Sequence, residues 1–235
     1  MASIYEAFIK AFELIMRADA DLLEIVLLSL QVNGMAILIA CLIGLSLGAF
    51  LAVFRFPGRT FCLILLNALM GLPPVVVGLI VYMILSNSGP LGVLGLLYTP
   101  TAMVIAQTIL ITPIIAALTR QALEVMYKEY EEQLKSLGVT KVRMATTLLW
   151  DGRYQLTTVV LAGFGRCVAE VGAVMIVGGN INHVTRIMTT AIALETSKGY
   201  LSLALALGII LILISVIINT LVYAVNQAAE RYAYA

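Results

Sequence analysis

The sequence predicts an all-α membrane protein with five transmembrane helices, its amino terminus outside and its carboxyl terminus in the cytoplasm. Three observations carry that prediction. The first is composition: 62% of the 235 residues are hydrophobic and 11% are charged, against about 45–50% and about 25% in soluble domains. Mean hydropathy is correspondingly high, at +1.05. The second is a set of apolar runs long enough to cross a hydrocarbon core of roughly 30 Å, which takes about 20 helical residues. The third is the uneven placement of Lys and Arg along the chain.

The first run extends from about Leu22 to Phe54, and Arg55-Phe56-Pro57-Gly58-Arg59 ends it. It is long for one crossing, so its start is expected to tilt or to lie at the interface. The second, about Thr60 to Leu85, carries Leu72-Pro73-Pro74 near its middle and stops at Ser86-Asn87-Ser88-Gly89-Pro90. Two successive prolines remove backbone donors, which predicts a kink or break at mid-membrane. The third opens with Thr99 as N-cap and Pro100 at the first helical position, and ends at Arg120. The fourth covers about Tyr154 to Val177, and the fifth about Leu201 to Val225.

Ahead of these runs, residues 1–21 place Ile4, Phe8, Phe12 and Ile15 at helical spacing between Glu6, Lys10, Glu13 and Arg17. They lack the n-region, h-region and cleavage site of a removable signal, so an amphipathic helix on the outer interface is expected. Residues 22–235 then form the transmembrane domain. Orientation follows from nine Lys and Arg on one side (Arg55, Arg59, Arg120, Lys128, Lys135, Lys141, Arg143, Arg153 and Arg231) against four on the other (Lys10, Arg17, Arg186 and Lys198). The positive-inside rule assigns the richer side to the cytoplasm.

Residues 121–153 are the one extended polar stretch. Leu123, Met126, Tyr127, Tyr130, Leu134 and Leu137 recur every three or four residues and make a helical stripe. Gly138 interrupts it as a left-handed helix end requires, and Thr140 is placed to cap a second short helix carrying Val142, Ala145 and Leu149. Either a surface loop or a docking element has this pattern.

The remaining chemistry is sparse. No GxxxxGK[ST] occurs, so the chain carries no phosphate-cradling P-loop of its own. A net charge of +1 provides no basic surplus for nucleic acid. Cys41, Cys62 and Cys167 stand singly among apolar residues and read as small packing residues. The single histidine, His183, lies beside Asn182 in an outside loop and reads as solvated; no catalytic residue and no metal site is expected. A membrane enzyme would need the nucleophile or metal constellation that is missing. An ion-coupled secondary transporter would usually show paired repeats and membrane carboxylates, whereas here only Glu170 lies deep in a span.

Arg166 is the charge that the fourth span carries beside Glu170. With entry near Tyr154 it lies roughly 18 Å along the helix, where an unpaired charge costs about 2.5–3.5 kcal/mol. Four-residue spacing predicts that the two side chains share a face and pair. A structural ion pair is the favoured reading and a lining or gate for an anion path the other. Ala36, Ala40, Gly44 and Gly48 form a small-residue stripe on the first span, which is read as packing within the chain rather than a seam between copies. Asn67, Gln107, Thr108, Thr112 and Asn219 are polar groups within spans that either line a path or bond neighbouring helices.

Glu132-Gln133-Leu134-Lys135-Ser136-Leu137-Gly138 resembles the Glu-Ala-Ala-x-x-x-Gly signature in the last long cytoplasmic loop of the membrane subunits of bacterial ABC importers. Gln133 and Leu134 replace the two alanines, and Trp150-Asp151 stands where a Leu-Pro is usual. Gly71 to Gly78, Ser88 to Gly92, Arg166 with Glu170 to Ala173, Gly179-Asn180, Thr185-Arg186 and Ala191-Ile192 are similar to stretches of the molybdate, tungstate and sulfate permeases, and most like the tungstate type. The resemblance implies the type I importer permease fold. It also implies a dimer that forms the pathway for a tetrahedral oxyanion, tungstate or molybdate, with sulfate or another small anion as the alternative. Two cytoplasmic ATPases that bind ATP and Mg, and an external binding protein, complete the implied assembly. Coupling to the ATPases is implied for Glu131, Glu132, Leu134, Ser136, Gly138, Lys141 and Arg143; a pathway or gate for Pro73, Pro74, Gln107, Arg166 and Glu170; and a surface facing the binding protein for Asn180, Thr185 and Arg186. After Val225 come about ten residues, with Arg231, Tyr232 and Tyr234 suited to the inner interface. They are too few for the anion-sensing domain that some molybdate relatives append, so no ATPase inhibition by cytoplasmic oxyanion through this subunit is expected.

Overall fold

The computed structural model describes Tyr5, Phe8, Ile9, Phe12, Glu13 and residues 20–233, with side chains described through residue 227. In chain order the described helices are α1 (Ala20–Val53), α2 (Arg59–Met70), α3 (Pro74–Leu85), α4 (Pro100–Ser136), α5 (Lys141–Asp151), α6 (Arg153–Val168), α7 (Gly172–Gly178), α8 (Met188–Ser197) and α9 (Leu201–Ala233), with a 3₁₀ turn at Gly92–Leu94. Helices α1, α4 and α9 are long and apolar enough to cross a membrane. The pair α2 and α3 is bent by 100° and the pair α6 and α7 by 57°, and counting each as one span gives five. The all-α class therefore stands, with the spans where the apolar runs lie.

Local chemistry explains the breaks. Gly71 and Leu72 close α2 by donating to Ala68 and Leu69. Pro73 then holds φ −65° and ψ 122°, and Pro74 opens α3 at the helix position that needs no N–H. The expected kink is thus a break between two helices, with a bend of 100°. At the start of α4 the Thr99 hydroxyl donates to the Leu96 carbonyl at 2.6 Å and accepts the Ala102 N–H at 3.4 Å, as an N-cap should.

Two expected boundaries are corrected. The third run does not end at Arg120, because α4 continues unbroken for 37 residues to Ser136. Buried Leu123 and Tyr127 and the ion pairs Arg120–Glu124 and Glu131–Lys135, each at helical spacing, carry it onward. The fourth run is not one helix: α6 stops at Val168 and α7 starts at Gly172. Helix α8 lies in a stretch that the apolar runs passed over. The Thr190 hydroxyl accepts the Ile187 N–H at 3.1 Å at its start. Gly199, at φ +83°, ends it with the paired bonds Gly199 N–H to Thr196 and Tyr200 N–H to Glu195.

The chain forms two compact units, to both of which α1, α4 and α9 contribute. One comprises Met1–Met35, Pro73–Gln107 and Cys167–Leu221; the other Ala36–Leu72, Thr108–Arg166 and Val222–Ala235. In the first, Leu22, Met188, Ala191, Ala206, Leu207 and Ile210 make a core cluster, and α3 packs on α7. A Cβ at Gly78 would lie 2.8 Å from Ala173 Cα, so the two backbones touch. In the second unit Leu51, Leu66, Ala116 and Ala117 cluster with Phe56, Cys62, Leu63 and Met70 around them. The small-residue stripe belongs here and packs within the chain as expected: Ala36 and Ala40 are fully buried, and a Cβ at Gly44 would meet Ile115 Cγ2 at 2.9 Å.

At the amino terminus Phe8 and Phe12 are helical and exposed, while Ile4 and Ile15 of the expected amphipathic helix lie outside the described residues. So do the side chains of Arg231, Tyr232 and Tyr234.

Candidate functional site

The polar segment is built on the last turns of α4. The Gly138 N–H donates to Lys135 and the Val139 N–H to Leu134, the double closure of a Schellman motif, with Gly138 at φ +66°. This is the left-handed end that the sequence predicted. Thr140 occupies the N-cap position of α5 in extended conformation, but its side chain makes no capping bond. The buried face of α5 is also corrected. It carries Met144 and Leu148, while Val142 is 65% exposed. Close approach at Gly152 selects that face, since a Cβ there would lie 3.1 Å from Leu123 Cδ2, and Met144, Leu148 and Gly152 repeat every four residues.

Around this turn the candidate coupling residues divide. Glu131 accepts from the Tyr127 hydroxyl at 3.0 Å and from Lys135 Nζ at 2.6 Å. The Ser136 hydroxyl donates to the Gln133 carbonyl at 2.8 Å. Lys141 Nζ stands 6.0 Å above the Phe54 ring, which stacks on Phe50 at 4.7 Å. Leu134 is half-buried, while Glu132 and Arg143 are exposed. Leu137 and Trp150 are 76% and 69% exposed, so with Val142 the segment bares large apolar side chains among charges, the composition of an interaction surface. Beneath the segment Glu124 accepts from Arg120 and, at 3.3 Å, from Arg59, whose Nε also donates to the Leu51 carbonyl. Sequence reasoning missed this cluster; the Arg120–Glu124 spacing was the available signal.

Of the candidate pathway residues, Pro73 and Pro74 lie at the α2–α3 break. Gln107 is 1% exposed and its Nε2 donates to Asn33 Oδ1 at 3.0 Å, the oxygen that Cys167 Sγ approaches at 3.4 Å. Gln107 Oε1 is buried with no hydrogen-bond partner among the described residues. Asn33 went unnoticed in the sequence, although an amide inside an apolar run is itself a signal. Glu170 is buried at the start of α7. There its carboxylate accepts the Ala173 N–H at 3.0 Å, and its carbonyl accepts from the Thr189 hydroxyl at 2.9 Å. Arg166 is partly buried in the last turn of α6. The single helix expected to carry both residues ends between them, so their pairing does not follow from helical spacing. Glu170 stands two residues before α7 and satisfies one of its first N–H groups.

The loop from Gly179 to Ile187 folds on itself. The Thr185 hydroxyl donates to the Gly178 carbonyl at 2.5 Å and accepts the Ile181 N–H at 2.9 Å, which puts this residue in the interior rather than on the outer surface. Arg186 donates to Asn182 Oδ1 at 2.9 Å and to the Asn180 carbonyl at 3.5 Å. His183, at φ +58°, is exposed but not merely solvated: its Nδ1 lies 2.7 Å from Glu24 Oε2. That hydrogen bond raises its pKa above 6.5, with further help from the charges of Glu24 and Asp21. Against the expectation of no His and carboxylate cluster, ligand atoms of Asp21, Glu24 and His183 all lie within 4.8 Å of one another. A separation of 159 residues between Glu24 and His183 hid this from sequence reasoning.

Long apolar helices, two bent pairs and a polar helix–glycine–helix segment describe an integral-membrane protein. Residues 44–231 match the family described as binding-protein-dependent transport system inner membrane component, and the chain belongs to that family. It is 39% identical over 227 residues to the tungstate uptake system permease protein TupB of Peptoclostridium acidaminophilum, covering 97% of this chain and 100% of that one. With the TupB of Campylobacter jejuni it shares 38% identity over 224 residues, 95% of this chain and 94% of that one. The sulfate transport system permease protein CysT of Salmonella typhimurium is more distant, at 26% over 199 residues, 80% of this chain and 70% of that one. The chain is thus a transport subunit of the inner membrane.

Proposed function

We propose that this chain is the permease subunit of an ATP-driven tungstate importer. The observation that carries the reading is near full-length similarity to two tungstate permeases at 38–39% identity, against 26% for a sulfate permease. Two copies form the pathway, two separate ATPases bind ATP and Mg, and an external binding protein delivers the oxyanion. The amino terminus is outside and the carboxyl terminus cytoplasmic, in line with the Lys and Arg count. In this reading the α4–Gly138–α5 projection, with Glu131, Glu132, Leu134, Ser136, Lys141 and Arg143, meets the ATPase through its bared Leu137, Val142 and Trp150. Pro73 and Pro74 hinge the spans beside the pathway, and Gln107, whose buried amide oxygen has no hydrogen-bond partner among the described residues, belongs to its gate. Arg166 and Glu170 hold the broken span, and Asn180 and Arg186 present the outer loop.

The test is uptake of radiolabelled tungstate by cells with and without the chain, with unlabelled molybdate or sulfate in excess. Uptake should require the chain and an intact partner ATPase, and sulfate should fail to compete. Equal competition by sulfate would move the substrate to sulfate. Uptake that survives ATP depletion and follows an ion gradient would overturn the ATP-driven reading.

A further inference from the structure

We propose that Asp21, Glu24 and His183 bind a divalent transition-metal ion of the zinc class. An imidazole nitrogen distinguishes the cluster from an acidic surface patch. Asp21, in the first turn of α1, and Glu24, three residues further on, share a face. His183 comes from the loop that Thr185 and Arg186 tie down. Two ligands thus come from one helical turn and the third from a braced loop.

Distances and donor chemistry fit the ion. Tetrahedral zinc with bonds of about 2.0–2.2 Å separates its ligand atoms by about 3.3 Å. The three groups lie within 4.8 Å, with His183 Nδ1 and Glu24 Oε2 at 2.7 Å, so closure takes side-chain rotation on the order of an ångström. His183 and Glu24 side chains are 55% and 44% exposed, which leaves them room to rotate. One nitrogen and two carboxylate oxygens suit borderline ions such as Zn²⁺, whereas Ca²⁺ and Mg²⁺ prefer six or more oxygens. Two carboxylates balance the charge of the ion. Arg186, a cation near His183, is engaged by Asn182 and Asn180. The three ligands leave a fourth position for water or a partner's side chain.

On binding, the ion takes the Nδ1 lone pair of His183, and any proton held there leaves to buffer. Zinc affinity should therefore fall in acid, where the proton competes with the ion for the same lone pair.

The proposal stands independently of the transported substrate. Its test uses the full chain in detergent, purified with a histidine-free tag, and Zn²⁺ alone as probe in competition with a fluorescent chelator. One saturable Zn²⁺ per chain is expected, weakened roughly tenfold or more by His183→Gln, Glu24→Gln or Asp21→Asn. Millimolar Mg²⁺ should not compete. Because His183 is the single histidine, Zn²⁺ should also protect the wild-type chain from imidazole acylation, a readout that needs no variant. Absence of protection, absence of saturable binding, or full binding in both His183→Gln and Glu24→Gln would overturn the site.

Discussion

A Cβ at Gly48 would lie 2.6 Å from the Ala116 carbonyl oxygen and 2.6 Å from Thr119 Cβ, neither of which is a movable side-chain tip. Gly48→Leu should therefore overpack the second unit and destabilise it by about 1–3 kcal/mol, read as a lower midpoint of thermal unfolding in detergent. Gly34, on the same helix, has nothing within 4 Å. Gly34→Ala should leave the midpoint unchanged or raise it, in line with the better helix propensity of alanine. Gly138 separates conformation from space in another way. Its side-chain position is also open, so only its φ of +66° restricts substitution. Gly138→Asn should keep transport because asparagine tolerates the left-handed region. Gly138→Val should lower ATP-driven uptake, and its stimulation of the ATPase, at unchanged membrane abundance. Normal uptake by the valine variant would make the segment mere packing.

Among elements, the tie between α1 and α4 through Asn33 and Gln107 is the contact most open to measurement. Either single change to leucine leaves a buried amide without its partner. A double-mutant cycle on unfolding stability should give a coupling of about 0.6 kcal/mol and no more than roughly 1.7 kcal/mol, the range for polar contacts between membrane helices. Uptake by the double variant near wild type would assign Gln107 to structure rather than to the pathway. Elements with local chemical punctuation were legible in the sequence: the prolines before α3, the Thr99-Pro100 start of α4 and the Gly138 turn each act within a few residues. The α6–α7 break was not legible, since no proline marks it; it depends on Glu170 capping α7 and accepting from Thr189 of α8. Nor was the phase of α5, which Gly152 sets through contact with Leu123 of α4. Both rest on tertiary contacts that periodicity cannot register.

At the scale of the whole molecule, the test of sidedness is chemical labelling from either face. Single cysteines at Leu137 and His183 in a background without the native three should react with an impermeant thiol reagent from the cytoplasmic and the outer side, respectively. Reversal of the two would invert the topology. The His183–Glu24 pair adds a pH dependence. A histidine whose folded pKa is raised stabilises the fold fully below its ordinary value of 6.5, and that contribution is lost as pH rises through the raised one. In metal-free buffer the unfolding midpoint of the wild type should exceed that of His183→Gln near pH 6 and converge with it near pH 9. An advantage that grew with pH would contradict the assignment. Both groups are exposed, so salt should shrink the difference.

The unbroken course of α4 past the end of its apolar run has a mechanical consequence. Pro113 cannot donate to Ile109, which makes it the place where this rod bends most easily. From there to Ser136 the helix extends about 35 Å at 1.5 Å per residue. It acts as a lever arm without a joint, and an arc of about 10° about Pro113 sweeps its tip by about 6 Å. A push on Leu137 would then reach the proline turn through one unbroken helix.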